Sequence, residues 1–179
     1  DMDQDRSERR LSAIMVTDVV GYSRLMEADE AETLATLRAL RSSLIDPLVS
    51  LYRGRTVKLM GDGAIIEFGS VVDAVSCAVA LQRQNAEGQA SVATERRIVL
   101  RIGINVGDVV VENGDVLGDG VNVSARLEQL CDPGGILVSG TAFDQLQGKL
   151  DLALDFVGEP RVKNIARRVR MYRVRLEGS

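Results

Sequence analysis

The apolar run Ala13-Ile14-Met15-Val16 in the stretch AIMVTDVVGYS gives way to Thr17 and Asp18, and the pattern over residues 10–18 predicts a first strand. The period then changes. Asp29-x-x-Glu32 is a capping box, and Leu34, Leu37, Leu40, Leu44, Ile45, Leu48 and Val49 follow at helical spacing. A long amphipathic helix is expected there, kinked or divided by Pro47 and ended by Gly54. Residues 56–60 and 64–68 read as short strands joined by Gly61-Asp62-Gly63, a hairpin signal. Ser70 and Asp73 cap a second helix with Ala74, Cys77, Ala78 and Leu81 on one face. Residues 85–97 are polar and aperiodic and read as a loop.

Alternation returns at Ile98, Leu100, Ile102, Ile104 and Val106, is perturbed at Gly107-Asp108, and continues through Val109-Val110-Val111. Asn113-Gly114 makes a turn into a short return strand, 115–117. Gly118-Asp119-Gly120 opens a third helix with Val123, Leu127 and Leu130 as its apolar stripe, stopped by Pro133-Gly134-Gly135. A strand at 136–138, a short helix capped by Ser139, and an antiparallel pair at 152–157 and 169–176 complete the chain. The order strand, helix, two strands, helix, strand predicts an α+β ferredoxin-like βαββαβ sandwich with extra C-terminal strands. Residues 1–9 are expected to be disordered or an artefact of the boundary at which a fragment was cut. Residues 10–179 are expected to be one catalytic domain of a longer protein.

Composition narrows the chemistry. The 179 residues include no histidine, which removes Ser-His-Asp and Cys-His nucleophiles, zinc-histidine sites and His general bases. The net charge is −4 and the pI about 5.0, so no global field favours nucleic acid or an anionic membrane. Cys77 and Cys131 each fall in a helical apolar pattern and read as core residues of a reducing compartment. No segment is apolar for long enough to span a bilayer, and the expected location is cytoplasmic.

Asp18 and Asp62 each sit where an apolar strand stops. With the first strand beside the hairpin, the two carboxylates can converge, and an oxygen-only donor set suits Mg²⁺ or Mn²⁺ completed by substrate phosphate. Each Asp alone would be an ordinary turn residue. The turn after Asp18, through Gly21, Tyr22 and Ser23, leads into a helix whose first N–H groups could receive phosphate oxygens. Asn122 and Arg126 stand i, i+4 on the third helix beside its apolar stripe. They suit a sugar oxygen and a phosphoryl oxygen, or else are a surface Asn and a solvated Arg. Lys58 and Asp115 offer one donor and one acceptor. If they read a purine edge it is adenine, which presents the complementary order; otherwise they are an ordinary ion pair.

Taken in order, VTDVVGYS, VKLMGDGAIIEF, RIGINVGDVV, DVLGDGVNVSARLE, PGGILVS and VKNIARRVRMYRV resemble the class III adenylyl/guanylyl cyclase catalytic domain, in the style of its alphaproteobacterial branch. The resemblance spans residues 10–176. It implies a ferredoxin-like domain that dimerises head to tail, with active sites at the subunit interface. It implies two Mg²⁺ or Mn²⁺ ions per site on Asp18, Asp62 and the Val19 carbonyl, with Gly21, Tyr22 and Ser23 along the phosphates. Lys58 and Asp115 would select adenine, Asn122 would position the ribose, and Arg126 would stabilise the transition state. The implied activity is adenylate cyclase: ATP to 3′,5′-cyclic AMP and pyrophosphate. The alternatives are a catalytically weak ATP-binding and dimerisation module, or a guanylate cyclase. The sequence departs from the family at Leu117, where an aromatic is common, and in the short link 111–115. It also departs at 162–165, where one lysine, Lys163, stands for two; Lys163 is then the implied phosphate ligand, with Arg161, Arg167 or Arg168 as substitutes. Neither nucleic acid nor membrane is implied as a partner of this domain.

Overall fold

The strand β1 (Glu8–Val19) has to be central, because both of its faces are apolar: Ala13, Met15 and Val19 turn into one core and Ile14 and Val16 into another. The computed structural model describes residues 7–162 and 167–176. After β1 come α1 (Tyr22–Ala28), α2 (Glu30–Leu40), a π-helical turn (Arg41–Ile45), α3 (Asp46–Leu51), β2 (Arg55–Met60) and β3 (Gly63–Phe68). They are followed by α4 (Val71–Gln89), β4 (Leu100–Glu112), β5 (Asp115–Leu117), α5 (Asp119–Leu130), β6 (Ile136–Ser139), α6 (Gly140–Leu146), β7 (Leu154–Gly158) and β8 (Met171–Val174). The sheet order is β2-β3-β1-β4-β6-β8-β7, with β5 paired to β4 off that path. The first four strands are in the ferredoxin-like order. Only β4–β6 is parallel among the pairs described.

The helices divide between the faces. Ala74, Val75, Cys77, Ala78 and Leu81 of α4 close the larger core against β1, β3 and β4, with α2, α3 and α6 at its margins. On the opposite face α5 lies directly on β1 and β4. Ser124 Oγ donates to Ile14 O at 2.9 Å, and a Cβ at Gly103 would collide with the backbone at Ser124 and Glu128. Gly103 therefore sets how closely α5 can approach the sheet.

Several boundaries differ from the sequence reading. β1 begins at Glu8, and Glu8 and Arg9 pair with Val111 and Val110, so the strand enters the 1–9 segment. The predicted long helix is divided, but a π-helical turn precedes Pro47, which lies in the first turn of α3. α4 continues to Gln89, into the stretch expected to be a loop. Polar residues of its C-terminal half face inward: Gln82 donates to Leu100 O and Gly135 O, Asn85 donates to Ile98 O, and Gln89 accepts from Ile98 N. These amides satisfy backbone groups at the start of β4 and in the segments leading into β4 and β6, which is why a polar pattern is helical here. β4 runs unbroken past Gly107-Asp108. Leu130 is exposed, and Ser124 and Glu128 take buried positions on α5.

Candidate active site

β1 delivers Asp18 to the end of the sheet, where the β2–β3 turn delivers Asp62. The antiparallel register Thr17↔Ala64 brings the two together, and Val19 N donates to Asp62 Oδ2 at 3.1 Å. Gly63 is needed for this approach: a Cβ there would lie 2.9 Å from Thr17 O and 3.7 Å from Asp18 Cβ. Arg41, from the π-helical turn, donates to Gly61 O at 2.9 Å and holds the same turn from outside.

Asp18 is not alone. Arg101, opposite it on β4, donates through Nε and Nη2 to its two oxygens at 3.2 and 2.9 Å. Arg101 Nε also lies 3.3 Å from Glu128 Oε1 on α5. Glu128 is buried. Burial, a hydrogen bond to Asp18 and the charge of Asp18 push its carboxyl up to about 8, against the pull of Arg101. Neither Arg101 nor Glu128 was singled out in the sequence; an ionisable residue four positions after the small residue Ser124 and beside Leu127 of the apolar stripe is the signal that could have found Glu128.

Among the described residues no three His, Cys, Asp or Glu side chains are grouped as a self-sufficient metal site. The donors at this end are instead the carboxylates of Asp18 and Asp62, the first already paired with the Arg101 guanidinium. Such a set fits a hard divalent ion that takes its remaining oxygens from water and phosphate. The turn beyond Asp18 has Gly21 in the left-handed region at φ 65, and α1 starts at Tyr22 without a side-chain cap. Tyr22 is half-buried against the core, and Ser23 is exposed.

Lys58 and Asp115 form a second group. Lys58 Nζ and Asp115 Oδ2 lie 3.9 Å apart, both partly exposed, with Asp115 Oδ1 accepting from Val116 N at 2.8 Å. The pair depends on a bulge. Arg55 faces Glu67 and Lys58 faces Ile65, with a register shift between Thr56 and Lys58. Glu67 and Ile65 share a face, so Arg55 and Lys58 share it too, where an unbroken strand would turn them to opposite sides. Exposed Leu59, Met60 and Leu117 belong to the strands that carry the pair. On α5 Asn122 is exposed and Arg126 half-buried.

Lys163 lies outside the described residues. Of its substitutes, Arg167 and Arg168 line a cleft of about 240 Å³ with Arg170, Glu159 and the buried Asn105, and the backbone of Arg161 pairs with that of Arg168 in an isolated antiparallel bridge.

The comparisons agree with the motifs. The chain matches the family described as Adenylate and Guanylate cyclase catalytic domain over residues 7–176. It is 47% identical over 173 residues to a Rhizobium meliloti (strain 1021) protein assigned as adenylate cyclase 3, covering 96% of this chain and 29% of that protein. It is 33% identical over 141 residues to the Streptomyces coelicolor adenylate cyclase, covering 79% and 35%. The chain thus spans about a third of the length of these curated relatives. The crystal structure of an adenylate/guanylate cyclase/hydrolase from Silicibacter pomeroyi superposes with a TM-score of 0.89 at 40% identity, covering 94% of this chain and 98% of that one. The adenylyl cyclase CyaB of P. aeruginosa gives 0.83 at 25% identity, covering 95% and 96%. With the motifs in order, the fold matched along nearly its whole length and the family match running from residue 7 to 176, the chain belongs to the adenylate and guanylate cyclase catalytic-domain family.

Proposed function

We propose that this domain is an adenylate cyclase that works as a head-to-tail homodimer. The observation that carries the choice of base is the approach of Lys58 to Asp115 at 3.9 Å, from strands far apart in sequence. The ammonium donates to a ring nitrogen and the carboxylate accepts from an exocyclic amine. Adenine presents that acceptor and donor; guanine presents a ring N–H and a carbonyl in the reverse sense.

In the reaction the ribose 3′-oxygen forms a bond to the α-phosphorus, the bond from that phosphorus to the pyrophosphate oxygen breaks in line, and the hydroxyl proton leaves to solvent. Two Mg²⁺ or Mn²⁺ ions, when held by Asp18, Asp62 and the Val19 carbonyl, would neutralise the triphosphate and acidify the hydroxyl. The protein's part is positioning and electrostatics. Asn122 holds the ribose, Arg126 meets the charge developing on the α-phosphoryl oxygens, and the turn Gly21, Tyr22, Ser23 lies along the phosphates. Lys163, or Arg167 or Arg168 in its place, adds positive charge at the polyphosphate.

The dimer is supported by how the groups are engaged. Lys58 and Asp62 are four residues apart, yet Lys58 turns to Asp115 and Asp62 to the Val19 backbone. Each half-site has its own partners, and each would complete a site with the other half of a second subunit. Leu59, Met60 and Leu117, 56%, 42% and 43% exposed, are apolar surface that a second subunit would cover. No described helix is long and apolar enough to cross a membrane, which suits a cytoplasmic domain attached to other modules.

The test is product analysis of the purified domain with ATP or GTP, in Mn²⁺ and in Mg²⁺, across a protein concentration series. Cyclic AMP whose specific activity rises with concentration is expected. Cyclic GMP in excess, or ATP binding without turnover by a demonstrated dimer, would overturn the proposal.

A further inference from the structure

We infer that Arg55 is a positioning residue for base selection, pinning the β4–β5 arm so that Asp115 stands against Lys58. The inference rests on the adenine-reading role proposed above for that pair.

The anchor is Glu67. It is buried on the sheet face that carries α5 and the arm. Arg10 alone makes two hydrogen bonds to it, from Nε at 3.0 Å and Nη2 at 2.6 Å, and Ser12 Oγ adds a third at 2.6 Å. Neutralising Glu67 therefore does not require a second guanidinium. Arg55 nevertheless adds Nη2 to Glu67 Oε1 at 3.0 Å, and spends its other arm elsewhere: Nη1 donates to Gly114 O at 3.3 Å.

Gly114 is the residue before Asp115. It belongs to the turn between β4 and β5, with Asn113 at φ 52 and Gly114 at φ 82. β5 is three residues long and its ladder is with β4 alone. The Lys58–Asp115 contact, long and half-exposed, is too weak to hold the arm in place. Arg55 is the stronger tie between the two elements, and it comes from the same strand as Lys58. The bulge between Thr56 and Lys58 puts both on one face, so the strand supplies the base-reading amine and the clamp for its partner. A planar guanidinium can hold a carboxylate and a carbonyl at once in fixed geometry, which an ammonium does less well.

The experiment compares Arg55→Ala, Arg55→Lys and Lys58→Ala with the unaltered protein, measuring kcat and KM for ATP and for GTP. The expected result for Arg55→Ala is a KM for ATP raised about fivefold, a kcat changed less than twofold, and a preference for ATP over GTP reduced by about the same fivefold, roughly the loss of one half-exposed charged contact. Arg55→Lys recovers part of the preference. If Arg55→Ala lowers kcat with both nucleotides alike and leaves the preference unchanged while Lys58→Ala alters it, Arg55 is merely structural and the inference fails alone. If Lys58→Ala also leaves the preference unchanged, the adenine reading of the pair fails and takes the inference with it.

Discussion

Arg101 and Asp18 face each other across β1 and β4 with both carboxylate oxygens engaged by one guanidinium, at 3.2 and 2.9 Å. A divalent ion at Asp18 would have to share or displace that contact. Removing the guanidinium removes a competitor for the cation. Arg101→Met is therefore expected to tighten Mn²⁺ binding in the absence of nucleotide about two- to fivefold, the scale of one partly exposed ion pair. Titration of Mn²⁺ by electron paramagnetic resonance measures it. Unchanged binding in the variant would mean that the cation does not use Asp18.

Gly103 fixes α5 on the sheet. An added Cβ meets the backbone of Ser124 and Glu128, which has no rotamer with which to move aside. Gly103→Ala is expected to lower stability by about 3 kcal/mol, the range of an overpacked core. The denaturant midpoint reads this directly. An unchanged midpoint would show that α5 can slide, and would weaken the view that Asn122 and Arg126 are rigidly placed.

Glu67 sets a pH dependence whose sign is fixed by its direction of shift. Burial works to raise its pKa, but the hydrogen bonds of Arg10, Ser12 and Arg55 outweigh it and bring the carboxyl down to about 2 from 4.5. The stabilisation is present above pH 4.5 and is lost as pH falls from 4.5 through about 2. With Arg10 and Arg55 themselves partly exposed, it amounts to about 2 kcal/mol at neutral pH. Glu67→Gln is expected to be less stable by about that amount at pH 7 and to approach the unaltered protein by pH 2. Urea unfolding at the two pH values checks it. A constant gap would place the effect in packing and not in charge.

Much of this architecture can be read from local pattern. Asp18 and Asp62 are conspicuous because each interrupts the end of an apolar run, and the strand–hairpin order that brings them together is a short-range signal. What the pattern hides is whatever depends on register. Arg101 is one polar residue in an alternating strand, and only the pairing Asp18↔Arg101 gives it a partner. The bulge before Lys58 has no residue signature, yet it decides which face Arg55 uses. Glu128 is at the end of a helix whose stripe was read through Leu130; the close seat permitted by Gly103 turns Glu128 inward and leaves Leu130 exposed. The helix through Gln82, Asn85 and Gln89 is missed for a related reason, since its inward residues are amides that serve the backbone of Ile98, Leu100 and Gly135.

If each site draws Asp62 from one subunit and Asn122 from the other, two dead variants can repair each other. Asp62→Asn keeps an oxygen for the Val19 N–H and so keeps the turn, but loses a charge from the cation site. Asn122→Ala alters an exposed position on α5. Each homodimer is expected to lose at least about 100-fold in cyclic AMP formation, the scale of removing one group aligned with the transition state. A mixed dimer has one site with both lesions and one with neither. Equal mixing makes half the dimers mixed, so about one quarter of the unaltered activity should return. The measurement is cyclic AMP formed after mixing the two variants at fixed total protein. Activity that stays at the level of the separate variants, in a mixture shown to have exchanged subunits, would mean that one chain supplies both residues and that the interface site is wrong.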